Sequence, residues 1–262
     1  MKIVVLGWGR MGSWLGRELA GDHQVAFYDT DGTKPGHGPA ITRLDSLPEV
    51  RKVEPDLLIN AVTLQHTVTA FRAVAPYLPA DCILCDVASI KGKIADYYEK
   101  AAFRFVSVHP MFGPTFADMD ALREENAVII TESCSEGRDL FRGFFTRRRV
   151  RVFGYTFDEH DRMMAYSLTT PFVASLVFAA CVDAKAPPGT TFTRHMAIAR
   201  SLLTEDDHLL AEILFNPHSL AELAKITSRL EFLKHIIKAQ DQDEAREFFR
   251  RLRENIREGD KP

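Results

Sequence analysis

Disulfides, a charge field of one sign and a recognisable secretory leader are all lacking here, and each absence removes a class of function. Four cysteines in 262 residues do not frame a small secreted domain. Cys82 and Cys85 have C-x-x-C spacing, but they sit inside the apolar run Cys82-Ile83-Leu84-Cys85 rather than at a helix start, so core packing is expected in place of redox chemistry. With 33 basic residues against 36 acidic ones and a formal charge of −3, the chain has no global field suited to a polyanion, so no nucleic-acid partner is expected. The one dense basic run, Arg147-Arg148-Arg149 with Arg151, reads as a solvated turn. The opening apolar stretch Ile3 to Leu6 is too short for a signal core, and reduced thiols point to the cytoplasm. A spanning helix wants about 20 consecutive apolar residues. Met163 to Val182 is interrupted by Ser167, Thr169, Thr170, Pro171 and Ser175, and is entered through Asp158-Glu159-His160-Asp161-Arg162. A helix buried inside the protein or between two subunits is expected there, not a membrane span.

An apolar fraction of 46% is ample for a packed core, and the length allows one large domain or two modest ones. Lys2 to Leu6 reads as a buried strand, followed at once by Gly7-Trp8-Gly9-Arg10-Met11-Gly12 and a helix from Met11 to about Ala20. Strand, G-x-G-x-x-G and helix in that order form a dinucleotide site. Gly7 makes the tight turn, Gly9 admits the pyrophosphate to the backbone amides, and Gly12 lets the helix pack on the strand. Trp8, Arg10 and Met11 belong to the same loop. The strand Gln24 to Tyr28 ends in Asp29, where an acid accepts from the adenosine ribose 2′-hydroxyl and repels a 2′-phosphate, so NAD is favoured over NADP, with Lys34 near enough to blur the preference.

Thr30 to Val53 reads as loop with at most a short helix. Strands are expected at 57–62, 82–87, 105–108, 127–131 and 150–153, alternating with helices at 67–78, 91–101 and 136–145. Near-continuous apolar strands alternating with helices predict a doubly wound, mostly parallel sheet of Rossmann type over residues 1–154. Ligands of such sheets lie outside the carboxyl ends of the strands. Val62 and Thr63 follow the third strand there, Ser89 follows the fourth, and His109 the fifth. In Ser107-Val108-His109-Pro110-Met111-Phe112-Gly113-Pro114 the proline restricts His109 to extended geometry, so the imidazole is expected on a stiff loop, able to do proton chemistry near neutral pH. Either residue taken alone has a bland alternative: His109 as a strand-end residue, Ser89 as a helix N-cap.

From 155 to 262 the pattern is helical throughout. Ala186-Pro187-Pro188-Gly189 breaks the chain between helices, Asp206 or Asp207 opens another, and Leu223, Ile226, Leu230, Leu233 and Ile237 form an apolar seam. Asp241 with Glu244 reads as a capping box for a last helix with Phe248, Leu252 and Ile256 inward. So much apolar surface on about 110 residues suggests a homodimer through this all-α domain.

The chain resembles the prephenate and arogenate dehydrogenase family over nearly its whole length. The stretches that carry the resemblance are the glycine fingerprint, Asp86-x-x-Ser89-Ile90-Lys91-Gly92-Lys93 paired with Val108 to Pro114, and, more weakly, Glu159-His160-Asp161-Arg162 and Leu214-Phe215-Asn216-Pro217. The resemblance implies an NAD-dependent oxidoreductase of tyrosine biosynthesis, with prephenate as substrate or arogenate as the alternative, and with no metal needed. It further implies His109 as the base that takes the ring-hydroxyl proton, Ser89 as the group that orients that hydroxyl, and Arg200, or Arg194 second, as the grip on a substrate carboxylate. Family members often carry a further histidine where this chain has Leu168 to Phe172, and an acid where it has Pro114-Thr115. A β-hydroxyacid dehydrogenase would need a lysine in a G-x-x-G-x-G-x-x-x-K helix, which is missing, and a dinucleotide-binding regulator would have no need of Ser89 and His109 together.

Overall fold

The computed structural model describes residues 1–35, 41–113, 125–183, 187–205 and 207–259. Pro114, Thr115, Ala186 and Asp206, which figured in the sequence reading, lie outside them. An eight-stranded sheet runs in the order β3-β2-β1-β4-β5-β6-β7-β8. Its strands are β1 (Lys2–Leu6), β2 (Gln24–Tyr28), β3 (Ile41–Arg43), β4 (Leu57–Asn60), β5 (Ile83–Asp86), β6 (Phe105–Pro110), β7 (Asn126–Ile130) and β8 (Arg151–Tyr155). Neighbours are parallel except β6 and β7. The interior strands are apolar on both faces because helices cover both. One face packs on α1 (Arg10–Leu19) and α5 (Ser135–Arg147) through Trp14, Leu15, Phe141, Phe144 and Phe145. The other packs on α2 (Val50–Val53), α3 (Thr67–Val74) and α4 (Gly92–Lys100) through Val50, Phe71, Val74, Ile94 and Tyr98. Cys82 lies in this core and Cys85 in that of the first face, and burial pushes the Cys82 thiol up to about 12 and raises that of Cys85, so both are packing residues.

Two details of the sheet differ from the sequence reading. Ile41–Arg43 is a strand, not loop, because three residues suffice to extend a sheet edge once β2 supplies the ladder from Val25 to Phe27. His109 is inside β6, not on a loop past it. The antiparallel pairing of Val108 with Ile129, His109 with Val128 and Pro110 with Ala127 carries the strand past residue 108.

Beyond β8 the described chain is helical: α6 (Phe157–Met164), a π-helical turn at Ala165–Thr169, α7 (Thr170–Ala180), α8 (Thr190–Leu202), α9 (Asp207–Leu214), α10 (Ser219–Ala239) and α11 (Gln242–Gly259). Thr156 opens α6 with a full capping box, its hydroxyl accepting from Glu159 N while the Glu159 carboxylate accepts from Thr156 N. The run Phe157–Ala180 is one continuous helix, long and apolar enough by length and composition to cross a membrane, with 17% of its apolar window buried. The expectation that it is buried within the chain is therefore overturned: α7 packs on α8 and α10 and has no buried residue. Leu252 and Ile256 of α11, expected inward, are also exposed among the described residues. At the opening of α11, Asp241 caps Asp243 and Glu244 N–H groups, but the Glu244 carboxylate turns to His235 instead of closing the box.

Candidate active site

The glycine turn is built as its spacing demands. Gly7 has φ +83°, and a Cβ there would meet Ala61 and Val62 backbone at 2.9 Å, so only glycine fits. A Cβ on Gly12 would overlap the Gly7 carbonyl, which is how α1 comes so close to β1. At Gly9 a Cβ would meet nothing, which leaves its backbone open at the amino end of α1, a cradle that fits a pyrophosphate. The Trp8 indole points away from this opening. It stacks on Phe27 with ring centroids 4.0 Å apart and fills the space over Gly16, so it supports the loop from beneath. Arg10 is exposed and Met11 half-buried at the helix start. Asp29 caps the turn: Trp8 N donates to Oδ2 at 2.5 Å and Asp31 N to Oδ1 at 2.8 Å. Lys34 is drawn to Asp31 at 3.7 Å. Val62 and Thr63 follow β4 on the same rim, with Val62 N donating to Asn60 Oδ1 at 3.4 Å.

Ser89, in the loop after β5, and His109, near the end of the neighbouring β6, belong to that rim. β5 and β6 are in parallel register with Asp86 opposite Ser107, and Ser89 follows β5 by three residues. Lys91 ties the two together. Its side chain is completely buried, and Nζ donates to Asp86 Oδ2 at 2.5 Å and to the Val108 carbonyl at 2.8 Å, clamping the Ser89 loop to the strand that carries His109. Tyr98 donates to the other Asp86 oxygen at 3.0 Å. Removing one member of a buried ion pair typically costs about 3–5 kcal/mol, since the other charge is left without compensation.

His109 is buried, and its Nδ1 lies 3.0 Å from Nε2 of His160 on α6. His160 Nδ1 is in turn 2.9 Å from Asp161 Oδ1, and that oxygen also accepts from Lys91 N at 2.9 Å. Burial, then the neighbouring His160 and Lys91 charges, hold His109 well below the usual imidazole range. Burial also lowers His160, against the opposing pull of the Asp161 hydrogen bond. Both rings are thus neutral near pH 7, and His109 can accept a proton.

The sequence reading quoted His160, Asp161, Asp86 and Lys91 only as part of matching motifs. Thr156 and Glu159 were the available signal, since a capping box there places His160 in the first turn of a helix. Arg194 and Arg200 are on α8, both exposed and with no ion pair among the described residues, and α8 packs on α7 rather than against the His109 strand. A groove lined by Lys2, Asp22, Glu54, Asp56 and Asp81 lies at the amino ends of the strands, away from the ligand-binding edge of such a sheet.

Residues 17–142, just under half the chain, match the model of the family described as prephenate dehydrogenase, nucleotide-binding domain. Over this stretch the chain is similar to the nucleotide-binding domain of the prephenate dehydrogenase family. A protein of Methanocaldococcus jannaschii named "Probable arogenate/prephenate dehydrogenase" is 24% identical over 204 residues, which is 72% of this chain and 45% of that protein. The chain thus spans about half the length of this curated relative. Two solved structures share the fold nearly end to end. Arogenate dehydrogenase of Synechocystis has a TM-score of 0.80 at 17% identity, covering 98% of this chain and 99% of that one. Prephenate dehydrogenase of Aquifex aeolicus, in complex with hydroxyphenyl propionate and NAD+, has a TM-score of 0.82 at 16% identity, covering 99% and 98%. The prephenate dehydrogenase family match starts beyond the glycine turn but takes in Ser89, Lys91 and His109.

Proposed function

We propose that the protein catalyses NAD-dependent oxidative decarboxylation of prephenate to 4-hydroxyphenylpyruvate, with arogenate as the alternative substrate. The observation that carries the proposal is the Lys91 clamp, which holds the Ser89 loop against the His109 strand on the rim shared with the glycine turn. NAD, when bound, supplies the hydride acceptor. The backbone at Gly7, Gly9 and Gly12 would hold its pyrophosphate and Asp29 its ribose. The Ser89 hydroxyl would orient the ring hydroxyl, and His109 would take that proton at the nitrogen not engaged by His160. The carbon loses hydride as the oxygen loses its proton; the resulting dienone then expels CO2 and becomes aromatic. Because the ring drives that second step, positioning and one base suffice. Arg200, or Arg194, would grip a carboxylate, a task suited to a forked guanidinium.

The working unit is proposed to be a homodimer in the cytoplasm, with residues 1–154 binding the dinucleotide and 155–262 serving substrate binding and dimerisation. Phe215, Leu220 and Ile237 are 80%, 79% and 73% exposed, and the outer face of α7 is apolar. Thr169 and Ser219 hydrogen-bond at 2.8 Å within the same helix cluster, and charged residues Asp158, Glu159 and Arg162 occupy its first turns. Cover by a second copy suits that mixture better than lipid does.

Absorbance at 340 nm, followed with prephenate and with arogenate against NAD and NADP, tests the reading. Reduction of NAD with prephenate is expected. Reduction only with arogenate would move the substrate assignment, and none with either would leave a dinucleotide-binding regulator.

A further inference from the structure

We propose that Asp161 and His160 are positioning residues that dictate the tautomer of His109 and thereby make its Nε2 the base. The inference rests on His109 being the proton acceptor in the proposed reaction. A carboxylate can only accept, so Nδ1 of His160, 2.9 Å from Asp161 Oδ1, carries a hydrogen. A neutral imidazole has one donor and one acceptor nitrogen, so Nε2 of His160 is an acceptor. The His109 Nδ1 that faces it at 3.0 Å must then be the donor, and the free lone pair of His109 falls on Nε2.

The wiring also gives the incoming charge somewhere to go. When Nε2 of His109 takes the substrate proton, the Nδ1 proton of the same ring can pass to Nε2 of His160, which puts the positive charge on the ring bonded to Asp161. Reversal of that shift, with return of the Nε2 proton to the phenolate oxygen that loss of CO2 leaves, restores both neutral rings. The other charged and titratable groups at this cluster do not compete for the role. Lys91 and Asp86 satisfy each other, and Tyr98 donates to Asp86, so among the described residues Asp161 is the carboxylate hydrogen-bonded to the imidazole pair.

Asp161 is itself held from two sides. Its carboxylate accepts from Lys91 N, next to the Ser89 loop, and its carbonyl accepts from Asn216 Nδ2 at 2.8 Å, in the turn after α9. The tautomer of a base on β6 is therefore set by a helix that follows the sheet, and it depends on that helix being docked.

Protein labelled with 15N in its histidine rings, assigned with His109→Gln and His160→Gln, reports the tautomers by long-range 1H–15N spectra near neutral pH. Protonated Nδ1 and bare Nε2 are expected for both rings in the wild type; a protonated Nε2 on His109 would overturn the proposal. This readout needs neither substrate nor a folded variant of Asp161. If the protein oxidised neither prephenate nor arogenate, the function would fail while the wiring still stood or fell by the spectra. In turnover, Asp161→Asn is expected to lower kcat by about 10²- to 10⁴-fold, as wrong-tautomer variants do, with KM and NAD affinity changed less than about threefold. His160→Gln, whose amide oxygen can accept from Nδ1, is expected to retain at least about tenfold more kcat than His160→Leu. Wild-type kcat and pH profile in folded His160→Leu would sink the relay.

Discussion

The sheet half and the helical half of the chain use apolar residues in opposite ways. In the sheet half, Ile3, Val5, Phe27, Leu58 and Phe71 are sealed between layers, and even the polar residues at the rim are buried, Asp86 and Lys91 paired with each other and His109 with His160 of α6. In the helical half, α7 has no buried residue, and Phe215, Leu220 and Ile237 face outward. The contrast teaches that the first half buries its apolar residues among its own layers, whereas the second leaves apolar surface open, the kind of surface that marks interaction sites.

Four changes would break or sharpen that contrast. His109→Ala strikes the sealed site, and kcat is expected to fall by about 10²- to 10⁴-fold with NAD binding intact; unchanged turnover would remove His109 from the chemistry. The pH profile belongs with it. A free imidazole titrates near 6.5, but burial and the charges of His160 and Lys91 lower His109 in the fold, so the acid limb of kcat/KM is expected below about 6.5. The sign for stability follows. A histidine depressed in the fold contributes stability fully present above its unfolded pKa and lost as pH falls from there through its folded pKa. Slower denaturation on acidification through that window would contradict it.

Next in size, Phe71→Ala opens a cavity in the sealed core and is expected to cost about 3–5 kcal/mol in chemical denaturation, independent of protein concentration. Less than about 1 kcal/mol would mean that this core is looser than its burial implies. Thr156→Ala removes the cap that aims α6, and should cost about 1 kcal/mol of stability while disturbing the His160 contact enough to lower kcat. Smallest for the fold of one copy is Leu220→Asp with Ile237→Asp. Both positions are exposed, so the unfolding midpoint of dilute protein is expected to move little, while sedimentation shifts from dimer to monomer. A wild-type protein that sediments as a monomer at every concentration would leave the exposed surface unexplained by a second copy.

Reading the chain alone placed the glycine turn and most strands to within a residue or two, because these depend on local chemistry. Gly7 needs a left-handed backbone and Gly12 a missing Cβ, and doubly covered strands must be apolar throughout. The same reading missed β3, whose three residues are a strand only because β2 lies beside them, and ended β6 too early, because only pairing with β7 carries it through Pro110. For the 163–182 segment it left burial inside the protein or between two subunits open, and the first does not hold for α7, because burial is decided by what packs against a helix and not by its composition.

By itself, then, the sequence determined a Rossmann-type half, a dinucleotide turn, and two chemically capable residues at successive strand ends. Periodicity and backbone geometry act over a few residues, and such features are written there. Tertiary structure alone decided that His160, 51 residues from His109, would stand behind it, and that Lys91 would bind the Ser89 loop to the His109 strand. A hydrogen bond needs its partners within about 3 Å, and no local rule brings α6 back over the sheet. Docking of that helix does, and with it the partner that His109 meets.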